Sequence, residues 1–176
     1  MTRLPKRRCD ETVLYPAILD LFCDQHFAFV EVPYFGKRVD LVFAGHGIDK
    51  LHAIEIKLKD WQGALKQAAV NQLFAHFSYV ALPEARVRTL RPEQKDAFGR
   101  YHVGLISVGI TATVVIPAVQ NGYFHQGHYD LVQALLVKIS SKRKAKRLGV
   151  ITRAIANRKR ALEFLQVGAH TGKRTL

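Results

Sequence analysis

The chain has 176 residues, 48% of them hydrophobic and 10% aromatic, enough for one domain with a real core and a small appendage. It has no 18-residue apolar run, no apolar stretch behind the basic start MTRLPKRRCDE, and only two cysteines, Cys9 and Cys23, with none of its eight histidines at tight ligand spacing; these exclude a membrane span, a disulfide framework and a zinc site as expectations, and fit a reduced, cytoplasmic compartment without a secretory signal. The net charge of +13 is uneven: residues 1–136 hold 15 Lys and Arg against 13 Asp and Glu, whereas residues 137–176 hold 12 against one acid, Glu163. Such a segment expects a polyanion, most often nucleic acid, the bland readings being a solvated tail or a membrane-surface segment.

In chain order, residues 11–25 place Val13, Leu14, Ala17, Ile18, Leu21 and Phe22 at helical spacing, with Asp10 as N-cap and Pro16 marking where the regular helix begins. Residues 28–34 read as a strand ended by Pro33, Phe35-Gly36-Lys37 as a turn, and 38–44 (RVDLVFA) as a strand. The turn-rich 45–50 connects to a strand over 51–58 (LHAIEIKL). Asp60 caps a helix over 61–76, and 77–82 is a strand closed by Pro83. A short helix runs from about Arg91 to Gly99 and a hairpin over 102–107 and 111–116. Residues 129–139 read as a helix, 140–147 as a charge run, and 150–166 as a basic helix. Two hairpin links argue for an antiparallel start to the sheet, and the strand–helix–strand unit at 51–82 for a parallel crossover. The expected fold is α/β, a mixed sheet flanked by helices over residues 1–126, with a basic helical extension over 127–176.

Strand side chains alternate faces, so Glu55 and Lys57 share one face while Ile54, Ile56 and Leu58 point to the other. Asp40 shares a face with Arg38 and Val42, and antiparallel pairing of 38–44 with 51–58 brings Asp40 beside Glu55. Two adjacent carboxylates repel, and their desolvation costs several kcal/mol unless a positive charge intervenes. A divalent cation resolves this, and hard oxygen ligands from two carboxylates suit Mg²⁺.

Asp40 followed by Glu55-Ile56-Lys57 resembles the signature of the PD-(D/E)xK nuclease superfamily, the restriction-endonuclease-like phosphodiesterases. Gly36-Lys37-Arg38-Val39-Asp40-Leu41-Val42 is similar to the family's G-x-R-x-D-hydrophobic strand, Ala64-Leu65-Lys66-Gln67-Ala68 to its A-L-x-Q-A helix, and Tyr79-Val80-Ala81-Leu82-Pro83 to the strand that follows. The similarity covers residues 11–83. Val39 stands where the motif's name has proline, and Asn71 where an aromatic often follows the Q-A pair. The resemblance implies an αβββαβ core and a Mg²⁺-dependent endodeoxyribonuclease, a hydrolase for which Mn²⁺ substitutes. It implies Asp40 and Glu55 as metal ligands, the Ile56 carbonyl as a third, Lys57 as the catalytic lysine, Glu11 as an extra acid near the metal, and Gln67 as a helix glutamine that shapes the site.

Each signal also has a plain structural reading. Glu11 is equally a first-turn acid favoured by the helix dipole, Gln67 a solvent-facing residue, and Arg38 a partner for Asp40 rather than for a phosphate. Lys59 reads as a solvated lysine or a phosphate contact, Trp61 as packing over the helix start, His52 as a core histidine opposite Glu55, and His125 and His128 as loop residues or substrate contacts. In the extension, Lys142, Arg143, Lys144, Lys146, Arg147, Arg153, Arg158, Lys159 and Arg160 are the candidate nucleic-acid contacts. About six phosphate contacts to duplex DNA would lose about a thousandfold in affinity between 50 and 200 mM salt. A helix-turn-helix with Gly149 at its turn, or a linker at 140–147, are the two structural forms considered for this segment. The leading function is a DNA nuclease acting as a homodimer, since cutting two strands needs two sites. The alternatives are a catalytically inactive nucleic-acid-binding protein on the same fold and a basic component of a nucleoprotein assembly.

Overall fold

A computed structural model of the chain describes residues 11–22, 27–45, 48 and 50–142. Contacts group the chain into Met1–Val137 and Lys138–Leu176. The Asp10 cap, part of the 45–50 turn, the 150–166 helix, the helix-turn-helix reading and the basic candidates from Arg143 onward lie outside the described residues.

A 3₁₀ turn over Glu11–Leu14 leads into α1 (Tyr15–Phe22), so the regular helix does begin beside Pro16. Then follow β1 (Phe27–Tyr34), β2 (Lys37–Ala44), β3 (Leu51–Ile56), α2 (Trp61–Asn71), β4 (Phe77–Pro83), α3 (Glu84–Arg88), α4 (Pro92–Arg100), β5 (Gly104–Val108), β6 (Ala112–Ile116) and α5 (Gln126–Lys142). The six strands form one mixed sheet in sequence order, β1 through β6. β1, β2 and β3 pair antiparallel, β3, β4 and β5 parallel, and β6 antiparallel to β5. The parallel steps are bridged by α2 and by α3 with α4, as crossovers require.

Both faces of the central strands are covered, so β3 reads as a nearly continuous buried run rather than one wet and one dry face. On one face Ala64, Leu65 and Ala68 of α2 pack with Phe98 of α4 over Val80, Leu82 and Leu105. On the other, Phe22 of α1 stacks on Phe43 with ring centroids 4.6 Å apart and meets His52 and Tyr79. His52 also stacks on Phe77 at 4.8 Å, consistent with a core position opposite Glu55. Trp61 packs on Phe98 at 5.9 Å.

Several boundaries differ from expectation, among them β1, which continues through Pro33 to Tyr34, β5, which starts at Gly104, and α5, which runs on to Lys142; three others have a local reason. β3 stops at Ile56, two residues early, because the Ile56 N–H donates to the Asp40 carboxylate (2.7 Å) instead of continuing the ladder with β2. α2 stops at Asn71 and tightens into i→i+3 bonds from the Leu73 and Phe74 amides to the Val70 and Asn71 carbonyls, which turns Phe74 fully into the core. α5 starts at Gln126, three residues early; the His128 and Tyr129 amides both donate to the His125 carbonyl. The Tyr129 hydroxyl and Gln133 amide of α5 donate to the Ile48 carbonyl at 2.9 Å each. The short α3, directly after Pro83, was not anticipated. Among the described residues no helix is long and apolar enough to cross a membrane.

Candidate active site

The β2–β3 register ends with Leu41 opposite Ile54, which leaves Asp40 and Glu55 as the next residues on the two strands, close enough for their charges to interact. This register runs on from the connection between the two strands, where Ala44 pairs with Leu51 and the Gly45 N–H donates to the Lys50 carbonyl at 3.1 Å. Asp40 is pinned by the Ile56 N–H, a charge-assisted bond at 2.7 Å. Lys57 lies just past the end of β3, where its amide still donates to the Ala81 carbonyl of β4 at 3.2 Å. Its Nζ is 3.6 Å from Asp40 Oδ2, 3.3 Å from Glu11 Oε2, and donates to the Ile56 carbonyl at 3.0 Å. The structure thus brings Asp40, Lys57, Glu11 and the Ile56 carbonyl into one cluster, with Glu55 beside it on β3.

Glu55 is 3% exposed. Asn71, on the inner face of α2, donates to its Oε1 at 2.7 Å. Burial pushes the Glu55 carboxyl up to about 7; the Asn71 bond opposes this, Asp40 adds to it, and Lys57 pulls back. Glu55 is therefore poised to titrate near neutral pH, a perturbation that clusters at functional sites. For Lys57, burial alone would lower the ammonium, but Asp40, then Glu11 and Glu55, outweigh it and hold it above its ordinary value. It is a persistent cation among three carboxylates.

Among the described residues no group of three or more His, Cys, Asp and Glu side chains is arranged to hold a metal. Asp40 and the Ile56 carbonyl both lie against the Lys57 ammonium, and Glu55 interacts electrostatically with both Asp40 and Lys57. This all-oxygen set fits Mg²⁺, which binds through one or two carboxylates and retains water. The Ile56 carbonyl is engaged by Lys57 in the described state, so a cation there would share it or displace the lysine.

The remaining candidates fall around this centre. Gln67 lies on α2, half-buried, and lines a pocket together with Glu55. Arg38 pairs with Glu31 of β1 at 2.7 Å, not with Asp40, and both are exposed. Lys59 is exposed, its carbonyl accepting from Arg86 Nε at 3.3 Å. Lys142 is the last residue of α5. His128 lies in the first turn of α5, its Nδ1 2.6 Å from the Tyr34 hydroxyl. Asn71 is the partner of Glu55 that sequence reasoning missed. Its signal was a polar side chain three residues past Ala68 on the helix face otherwise made of Ala64, Leu65 and Ala68. Comparisons with family models, with curated proteins and with solved structures find no match to this chain.

Proposed function

We propose that the chain is a metal-dependent nuclease that hydrolyses DNA phosphodiester bonds on a restriction-endonuclease-like αβββαβ core, a PD-(D/E)xK protein. One observation carries this reading: a buried glutamate on β3 feels the charge of an aspartate on β2 and of a lysine whose ammonium is 3.6 Å from that aspartate. Such a cluster is costly as architecture, because Glu55 ionises only against its burial. The order β1–β2–β3 antiparallel, then α2, then β4 parallel to β3, supports the same reading.

In this proposal Asp40, Glu55 and the Ile56 carbonyl bind Mg²⁺, for which Mn²⁺ substitutes. A divalent cation held there would supply Lewis-acid polarisation of the scissile phosphate and a more acidic water. Glu55, poised near neutrality, would give up its proton as a cation binds, and Asp40 is held in place by the Ile56 N–H. Lys57 turns its ammonium toward the phosphate, where it orients the attacking water and stabilises developing negative charge. Glu11 holds Lys57 in place through the 3.3 Å contact. The basic residues beyond 137 grip the strand, and the protein works inside the cell as a homodimer when both strands are cut.

The test is Asp40→Asn, which keeps an acceptor for the Ile56 N–H but removes the charge. Metal-dependent cleavage by the wild type, lost in Asp40→Asn with DNA binding retained, is the expected result. No cleavage by the wild type with Mg²⁺ or Mn²⁺, alongside salt-sensitive binding, would favour a nucleic-acid-binding protein on the same architecture.

A further inference from the structure

A pocket of about 190 Å³ opens beside Glu55, between the β1–β2 hairpin, α2 and α5. It is too small for a cofactor or drug-sized ligand, whose sites run from about 300 Å³ upward. One wall is aromatic. Tyr34 and Phe35 meet edge to face at 5.0 Å, and His128 lies against Phe35 at 5.1 Å. Tyr34 and His128 are locked to each other by their 2.6 Å hydrogen bond, so this wall is fixed in place from two elements. Val70 forms part of the opposite, α2 side. Gln67 also lines the pocket, and its amide makes no hydrogen bond among the described residues. At the rim stand Lys37, which has no ion pair among the described residues, and Arg38.

Phe35 is the unusual member. It is 69% exposed, and its backbone is left-handed, with φ 45°, in a two-residue turn with Gly36 at φ 73°. A bulky residue at positive φ is strained, and turns of this kind are easier for Asn or Asp followed by Gly. The fold therefore presents an aromatic ring to solvent at a position where a small polar residue would be less strained. Apolar walls, one free amide and a cationic rim are the chemistry that receives a single unstacked base: aromatic faces stack on it, an amide reads its edge, and cations take the neighbouring phosphates.

We propose that this pocket receives one unpaired nucleobase, with Phe35 and His128 stacking on it, Gln67 hydrogen-bonding its edge and Lys37 on the adjoining phosphate. The proposal rests on the nucleic-acid reading above and deepens it: the preferred substrate carries an unpaired base next to the scissile phosphate, as in a bulge, a frayed end or a branch.

The test is binding of the full chain, in EDTA so that no cleavage intervenes, to two labelled duplexes. They are identical except that one carries a single bulged base and the other an abasic bulge at that position. Stacking of one base on an aromatic side chain predicts about fivefold or more tighter binding of the bulged-base duplex. That ratio falls towards one in Phe35→Ala, whose side chain is exposed, and in Val70→Trp, which fills the pocket from a half-exposed helix position. Equal affinity of the wild type for both duplexes, or a ratio unchanged in both variants, overturns the proposal. Metal-dependent cleavage with no base preference would remove the pocket reading and leave the nuclease. Base preference without cleavage by the wild type would do the reverse.

Discussion

Replacing Glu55 with glutamine should stabilise the metal-free protein at alkaline pH and not at acid pH. Glu55 is nearly fully buried and its carboxyl is pushed from 4.5 up to about 7, chiefly by burial. Between these two values the folded chain retains a proton that the unfolded chain has lost. Stability then falls as pH rises, by about 1.36 kcal/mol per pH unit over this interval. The full interval amounts to about 3 kcal/mol of destabilisation at pH 8, absent below about pH 4.5. Lys57 is held above 10.5 and titrates outside this window. Glutamine has nearly the same shape, keeps an oxygen to accept from Asn71, and carries no charge to desolvate. For a chain of this size about 3 kcal/mol corresponds to roughly 6–12 °C in Tm. Thermal unfolding in EDTA at pH 5 and pH 8 checks this. The expected result is a Glu55→Gln Tm well above wild type at pH 8 and close to it at pH 5. Equal or lower stability of the variant at pH 8 would show that the ionised carboxylate is not costly where it stands, and would remove the argument that it is retained for function.

Two further outcomes follow from the same geometry. Asn71→Ala removes the bond that holds the Glu55 carboxyl down, so its pKa should rise further. The variant should lose about 1–3 kcal/mol, more at pH 8 than at pH 5.5, as read by denaturant unfolding at both values. Asp60→Ala removes the side chain that accepts from the Gly63 N–H at 2.9 Å, and should cost about 1 kcal/mol, visible as a fall of about 2–4 °C in Tm.

The parts of this structure that were legible in the sequence are those set by local chemistry or by strand periodicity. The Asp60 cap, the hairpin turn at Phe35-Gly36 and the crossover between β3 and β4 depend on residues close in sequence. The approach of Asp40 to Glu55 is longer in range, but it follows from the β2–β3 pairing, which runs from Ala44 opposite Leu51 to Leu41 opposite Ile54. What escaped required tertiary contacts. Asn71 matters because α2 ends there and faces β3, and the end of α2 is decided by Phe74 entering the core. The Tyr34–His128 bond joins residues 94 apart, and no periodicity in either segment announces it. α3 is only five residues long, too short for a helical pattern to stand out from the strand before it.

The most direct test of the central claim is cleavage of a panel of plasmid, linear duplex, four-way junction, single strand and bulged duplex, with Mg²⁺, Mn²⁺ or EDTA, by wild type beside Lys57→Ala. The expected result is metal-dependent cutting that falls at least about 100-fold in Lys57→Ala, the loss typical of removing one group that stabilises transition-state charge. Cutting that persists in EDTA or in Lys57→Ala, or no cutting of any substrate by the wild type, would contradict it.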